Sequence, residues 1–147
     1  MQTTLAIEVV AFETDFGGVV SNTRYLEYIE RGRYALLHAA GLRVENVWRE
    51  HGAQPVVRRI EIDYLGFARH EDQLQLRVLV ASHGGATTTL DYELSRDDHA
   101  ILMRATQTLA YLNRDWKPTR VPRIFRDALE VELAVRACIE SRNSRKF

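Results

Sequence analysis

The spacing of the apolar residues changes along the chain from a helical period to a strand period, and this change limits the folds that the chain can adopt. Between Arg24 and Ala40 the apolar residues recur at helical spacing, and Gly41 follows as a stop signal. Between 56 and 111 apolar and polar residues alternate, which is typical of strands that bury one face. A single antiparallel sheet wrapped around one apolar helix is the most economical way to bury both.

The pattern predicts one strand, a long helix, a short helix, four further strands and a last helix. Their expected positions are 4–12, 24–40, 44–51, 56–64, 74–80, 90–94, 101–111 and from Pro122 to about Ile139. Two short turns, HGGA at 83–86 and RDDH at 96–99, predict an antiparallel meander of the last three strands. Gly32 lies inside the long helix at a cost of about 1 kcal/mol relative to Ala, so we expect another backbone to approach it closely.

The length and charge of the chain argue against several classes of protein. A length of 147 residues suffices for one domain that buries roughly 68–70% of the surface of the unfolded chain, and we interpret 1–147 as a single domain. The formal net charge of zero argues against a nucleic-acid binder and against a polybasic membrane surface. Eighteen of the 20 basic residues are Arg, a bias that fits either phosphate recognition or genome composition.

The cysteine content and the apolar runs of the chain indicate the cellular compartment to expect. Cys138 is the only cysteine, so no disulfide can form within the chain. The first ten residues, MQTTLAIEVV, lack a basic segment and contain Glu8, so they do not resemble a signal peptide. No run approaches the roughly 18 uncharged apolar residues of a membrane span. We therefore expect a cytoplasmic protein without membrane insertion.

The stretch ETDFGGVVSNTRYLEYIER, at 13–31, places Asp15 on a glycine turn directly before the long helix. One interpretation is structural, because an Asp side chain can close an Asx turn and hold such a loop. The other is chemical: an oriented carboxylate can act as a general base or nucleophile. The exposed N–H groups at a helix N-terminus are donors for an oxyanion. The spacing alone leaves both interpretations open.

The most specific pattern in the chain consists of two blocks, FETDFGGVVSNTRYLEYIERGR at 12–33 and VVRRIEIDYLGFARHEDQLQLRV at 56–78. From about Ala6 to Pro122 the chain resembles the hotdog-fold acyl-CoA thioesterases of the 4-hydroxybenzoyl-CoA thioesterase type. The resemblance implies an α+β hotdog fold, in which an antiparallel five-stranded sheet wraps around a long central helix and a C-terminal helix follows. It also implies hydrolysis of an acyl-CoA or acyl-carrier-protein thioester to free acid and thiol.

The resemblance assigns roles to residues of the first block. It implies that Asp15 is the nucleophile or general base, and that the backbone amide of Asn22 donates to the oxyanion. It also implies substrate contacts at Gly17, Gly18, Val20 and Tyr25. One branch of the family has a catalytic His where this chain has Asn22, so we expect the simpler arrangement of carboxylate and amide. Relatives often have Asn or Ser at the position of Arg24, and a cation there would alter which acyl group enters.

Candidates for the coenzyme A phosphates lie in the second half of the chain. Relatives often carry Arg or Lys in the turn at 82–86, which here reads SHGGA. His83 could supply partial charge and Gly84 an amide, or the segment is simply a hairpin turn. Arg58 and Arg59 are further candidates, with solvated or interface charges as the alternative.

The expected partners are an acyl-CoA or acyl-carrier-protein substrate and further copies of the chain. The predicted sheet leaves an edge and a broad face uncovered, and both invite pairing. The resemblance implies a homodimer or homotetramer with the site between protomers. It implies no cofactor, since coenzyme A is part of the substrate. The five His residues show no two-His helical spacing, which predicts no metal site.

Two other functions compete with hydrolysis. A non-catalytic acyl-CoA-binding hotdog protein would differ from an enzyme only in turnover. A hotdog hydratase or dehydratase is disfavoured, because the first block lacks a catalytic His and carries its acid on the turn before the helix. Nothing in the sequence identifies the acyl group.

Overall fold

The structure, a computed structural model, describes residues 1–129. Its elements are β1 Gln2–Glu8, one turn of 3-10 helix Ala11–Glu13, α1 Asn22–Ala39, α2 Val44–His51, β2 Ala53–Tyr64, β3 Gln73–His83, β4 Thr87–Arg96, β5 Ile101–Asn113 and β6 Pro118–Thr119. Residues 123–129 are helical as well. The predicted order of one strand, a long helix, a short helix and four strands is confirmed.

The strands form one antiparallel sheet. Its order is β1-β3-β4-β5-β2, and the short β6 pairs with β5. The predicted meander of β3, β4 and β5 is confirmed, while β2 pairs with β5 at one edge of the sheet. Sequence analysis missed β6, because its two residues are too few to show an alternation.

Two element boundaries differ from those predicted. β1 ends at Glu8 rather than at residue 12, because the chain turns into the 3-10 helix at Ala11. α1 begins at Asn22 rather than at Arg24, with Ser21 as its extended N-cap residue. The unpaired amides of the first helical turn therefore start two residues earlier than the apolar pattern suggests.

α1 packs its apolar stripe against one face of the sheet. Side chains that are at most 2% exposed fill this interface: Tyr28, Ile29, Leu36 and Leu37 from the helix, and Leu74, Leu76, Val78, Val80, Leu90, Leu94 and Met103 from the sheet. Each such burial stabilises the fold by about 1.5–3 kcal/mol relative to exposure. The interface between α1 and the sheet is thus the main source of stability and determines where the helix lies.

Gly32 allows α1 to approach β3 closely. A Cβ atom on Gly32 would lie 2.7 Å from Leu76 Cδ2 and 2.7 Å from Val78 Cγ2, closer than real Cβ contacts. The close approach was predicted correctly, but the expectation of a neighbouring backbone was wrong. The neighbours are two side chains of β3, because a helix that lies on a sheet meets the side chains of the pleat first.

The other face of the sheet carries charge. Glu93 on β4 accepts hydrogen bonds from Arg77 on β3 and from Arg104 on β5, each at 3.0 Å. Arg59 pairs with Glu61 along β2 at 2.6 Å. Exposed pairs of this kind stabilise by at most about 1 kcal/mol each, so this face contributes little to the stability of the chain by itself.

The predicted last helix is only partly covered by the described residues. It is helical over 123–129, where the Phe125 ring packs edge-on against Tyr111 at a centroid distance of 5.2 Å. The rest of the prediction, including Cys138, lies outside the described residues. Within 1–129, no helix is both long and apolar enough to cross a membrane, and no group of His, Cys, Asp and Glu could hold a metal ion.

Gly32→Val is expected to lower the free energy of unfolding by about 2–3 kcal/mol, because the added methyl groups overpack the contact with β3. The measurement is urea unfolding of the variant and the wild type. Ala39→Val is the matched control, since it adds the same β-branched side chain at an exposed position of the same helix. By helix propensity alone Gly32→Val would be neutral or slightly stabilising, because Gly is the poorer helix former, so a Gly32→Val variant as stable as the wild type would contradict the overpacking.

Candidate active site

A narrow turn carries Asp15. Thr14 and Val20 form an isolated antiparallel bridge at its neck. Within the turn, the N–H of Asp15 donates to Val19 O at 2.9 Å, and the N–H of Gly18 donates to Asp15 O at 3.0 Å. Three backbone pairings in so short a segment leave Asp15 little backbone freedom.

The Asp15 side chain is exposed and forms the predicted Asx turn. Its Oδ1 accepts the N–H of Gly17 at 2.7 Å. Gly18 has a φ of 74°, a conformation that favours glycine, and a Cβ on Gly17 would crowd Oδ1 at 3.1 Å. A carboxylate has two acceptor oxygens. The structural role predicted for Asp15 is therefore present, and it leaves Oδ2 for a bound molecule.

The N-terminus of α1 lies next to this turn. Ser21 is the N-cap residue, with φ −62° and ψ 142°, and its side chain makes no capping hydrogen bond. The N–H of Arg24 donates to Ser21 O at 2.9 Å. The earlier amides, those of Asn22 and Thr23, belong to the first turn, where N–H groups have no intrahelical acceptor and carry the positive end of the helix dipole.

A cleft of about 340 Å³ joins the turn and the helix N-terminus. Its lining residues are Asp15, Val19, Val20, Ser21, Asn22, Tyr25, Tyr64, Gly66 and Phe67. Four residues that the resemblance assigned to the site thus border one cleft, namely Asp15, Val20, Asn22 and Tyr25. Gly17 and Gly18 support the turn from outside that lining.

An aromatic wall closes the cleft on the side of β2. The Tyr64 ring packs edge-on against Tyr25 at 5.4 Å, and the Tyr64 hydroxyl donates to Asn22 O at 3.2 Å. Burial raises the pKa of Tyr25, whose hydroxyl oxygen accepts the N–H of Ala68 at 3.4 Å. Sequence analysis missed Tyr64 and Phe67 as site residues. The available signal was the DYLGF segment of the second block, whose Tyr64 bonds to Asn22 of α1.

Arg24 was expected to influence which acyl group enters. Its guanidinium makes two hydrogen bonds to the Glu27 carboxylate, at 2.8 and 2.9 Å, and lies 5.6 Å from the centroid of the Phe12 ring. The cation is thus balanced by Glu27 beside the site, and it does not line the cleft. Its effect on the acyl group stays a prediction.

The candidates for phosphate contacts lie away from the cleft in a single chain. Arg58 lies at a β-bulge of β2, and Arg59 pairs with Glu61. His83 ends β3, and its Nδ1 is 2.9 Å from Thr88 Oγ1. The Gly84 N–H donates to Thr87 O at 2.8 Å, which is the hairpin alternative. The segment just before β3 bonds to the chain on either side of the turn, since Asp72 O accepts the Val9 N–H and Ala68 O accepts the Val20 N–H. His83 and Gly84 lie at the other end of β3, ~33 Å along the strand.

Comparison with known proteins identifies the family. Residues 9–129 match the model of the Thioesterase-like superfamily. The acyl-CoA thioesterase YbgC of Haemophilus influenzae is 30% identical over 118 residues, which cover 80% of this chain and 86% of that protein.

Solved structures share the fold. A probable thioesterase from Bartonella henselae is 28% identical and superposes with a TM-score of 0.77, covering 83% of this chain and 100% of that chain. Slr0204, a 1,4-dihydroxy-2-naphthoyl-CoA thioesterase from Synechocystis, has a TM-score of 0.81 at 20% identity, covering 88% of this chain and 96% of that chain, a likeness of fold alone. The family match and the relatives together show that this chain belongs to the thioesterase-like superfamily and is a thioester hydrolase of the hotdog fold.

Proposed function

We propose that this protein hydrolyses the thioester of an acyl-CoA or an acyl-carrier protein, with Asp15 and the Asn22 amide as its catalytic groups. The observation that supports this is that Asp15 and Asn22, the first residue of α1, line the same cleft. The carboxylate is suited to activate a nucleophile, and the amides are suited to bind negative charge on a carbonyl oxygen. The relative from Haemophilus influenzae is described as an acyl-CoA thioesterase.

The reaction begins with attack on the thioester carbon. Asp15 either takes a proton from water as the water oxygen bonds to this carbon, or bonds to it through Oδ2 and is released by water in a second step. The carbonyl oxygen becomes an oxyanion that accepts the N–H of Asn22. The C–S bond then breaks, and the sulfur takes up a proton. Each cycle consumes one water and yields one acid and one thiol, without a cofactor.

The Asx turn prepares Asp15 for this role. Because the Gly17 N–H holds Oδ1 at 2.7 Å, the side chain is oriented before the substrate binds. Orientation of a reacting group in advance lowers the barrier by removing entropy that would otherwise be lost in the transition state. The structural role of Asp15 is therefore part of the proposed catalytic role.

A second copy of the chain is proposed to complete the site. Several large apolar side chains near the turn and the end of β2 are exposed: Phe12, Phe16, Leu26, Leu65 and Phe67. Contiguous exposed apolar surface marks interfaces. β2 is also a 12-residue edge strand, and a long open edge favours pairing. Both features are covered in a homodimer or homotetramer.

The proposed phosphate contacts belong to the same assembly. His83 and Gly84 lie at the end of β3 that is remote from the cleft of their own chain. They would serve coenzyme A bound at the cleft of another copy. Arg58 and Arg59 lie on the edge strand β2, next to where that copy would pair.

Asp15→Asn is expected to lower kcat at least about 100-fold, or roughly 2.7 kcal/mol in the barrier, because an amide is neither a base nor a nucleophile. Asn keeps an oxygen for the Gly17 N–H, so the turn persists. The measurement is thiol release from aromatic, short and long acyl-CoAs and from acyl-carrier proteins.

Two further variants separate chemistry from structure. Asp115→Asn changes an exposed Asp on the turn between β5 and β6, and full activity is expected. Asp15→Ala removes both the carboxylate and the Asx turn. If Asp15 only holds the turn, the Asn variant keeps its activity and the Ala variant alone loses it. A wild-type protein that binds acyl-CoA and releases no thiol would be the non-catalytic binding protein.

Asn22→Pro is expected to lower kcat about 100- to 1000-fold, because it deletes the N–H that binds the oxyanion. Proline is tolerated at the first position of a helix, and the extended ψ of 142° at Ser21 suits a residue before proline. The measurement is kcat together with Tm. Asn22→Ala keeps the N–H and should retain most of the activity. If the Asn22→Pro variant is active, a donor other than the Asn22 N–H binds the oxyanion.

Light scattering on a sizing column is expected to give a mass of two or four chains of 16.9 kDa. The physical reason is the exposed apolar surface beside the cleft together with the open edge of β2. If the protein is a monomer under the conditions in which it hydrolyses thioesters, the proposed completion of the site by a second copy is contradicted.

A further inference from the structure

Glu13, two residues before Asp15, is buried. Its side chain is 7% exposed, and it is the only carboxylate among the buried polar residues within 1–129. One oxygen, Oε2, accepts the N–H of Val10 and the hydroxyl of Tyr28, each at 2.9 Å. Burial of a charge is costly unless donors compensate it, so these two contacts account for its position.

Tyr28 provides a rigid anchor for this carboxylate. It lies in the second turn of α1 and is fully buried, and its ring packs edge-on against Tyr25 at 6.0 Å. Burial, and then the hydrogen bond to Glu13, raise the pKa of Tyr28, so its hydroxyl stays protonated and donates. The contact therefore ties Glu13 to a part of the helix that is held by the core.

The backbone of Glu13 forms the base of the Asp15 turn. Its carbonyl accepts the N–H of Ser21, the N-cap residue of α1, at 3.0 Å. The bridge between Thr14 and Val20 follows one residue further, and Asp15 lies beyond it. Glu13 thus lies at the start of the turn. Its carbonyl bonds to the N-cap residue of α1, and its side chain bonds to Tyr28 within the helix.

We propose that Glu13 is a positioning residue, whose hydrogen bond to Tyr28 sets the place of Asp15 relative to the first amides of α1. This inference rests on the proposed function, since it names what orients that same site. The backbone pairings define the shape of the turn, and among residues 1–129 the backbone hydrogen bond that joins it to the start of α1 is the one from Ser21 to Glu13. The side-chain bond to Tyr28 adds a second point of attachment, and two points prevent rotation about the first.

Glu13→Ala is expected to lower kcat at least about tenfold, while KM stays within about threefold, because positioning affects the reacting groups more than substrate affinity. Glu13→Gln should restore most of kcat, since a single amide oxygen can accept both hydrogen bonds that Oε2 accepts. If Gln is as inactive as Ala, the charge itself acts in the reaction and the positioning role is overturned.

Tyr28→Phe tests the same contact from the other side. It removes only the hydroxyl and keeps the ring in the core, so it stays informative if Glu13→Ala does not fold. A loss of kcat at constant KM is expected. Tyr92→Phe is the matched control, because it deletes another buried hydroxyl, which donates to Gln107 at 2.8 Å and lies outside the cleft. Equal kcat losses in both Phe variants would show general destabilisation and overturn the proposal.

Hydrogen exchange tests the positioning role without an activity assay. In Glu13→Ala, or in Tyr28→Phe if the first variant does not fold, the amides of Asp15 and Gly18 should exchange at least about tenfold faster. The amide of Ala40, which donates to Leu36 O at the far end of α1, should be unchanged. Unchanged exchange in the turn overturns the positioning role. A wild-type protein that is inert toward every thioester instead refutes the proposed function, and the exchange data still decide whether Glu13 orders the turn.

Discussion

The close contact of α1 with β3 at Gly32 determines where the site can form. A helix is rigid, so fixing its middle against Leu76 and Val78 also fixes its first amides, which lie about 15 Å away along the axis. The sheet and the segment between β2 and β3 hold the other residues of the cleft next to these amides. The Val20 N–H, just before the helix, donates to Ala68 O at 2.9 Å, in the segment between β2 and β3. The cleft is therefore a product of core packing as much as of local sequence.

The sequence predicted those parts of the molecule that depend on neighbouring residues. The bounds of α2, 44–51, coincide with the prediction, because Gly52 ends the helix in a left-handed conformation. Asp15 and Asn22 could be proposed because the glycine turn and the helix start are adjacent in the chain. Their contribution to the same cleft follows from that adjacency.

Other parts could not be predicted, because they depend on how distant segments meet. Tyr64 reaches the site across 42 positions of sequence, through its hydrogen bond to Asn22. A buried Glu13 runs against the usual exposure of carboxylates, and only the position of Tyr28 in the folded chain makes its burial possible. The neighbours of Gly32 depend on which strand lies beneath the helix, and the apolar period alone does not identify that strand.

The Asx turn at Asp15 has a consequence for how such a protein can evolve. Asp and Asn codons differ by one nucleotide, and an Asn at this position would still offer an oxygen to the Gly17 amide. A descendant with that change would keep the turn, the cleft and the first amides of the helix. Under the mechanism that we propose, it would lose only the group that activates water. Under that mechanism the fold is one point mutation from a protein that binds thioesters without hydrolysing them, so sensors or storage proteins could arise from it without rebuilding the site.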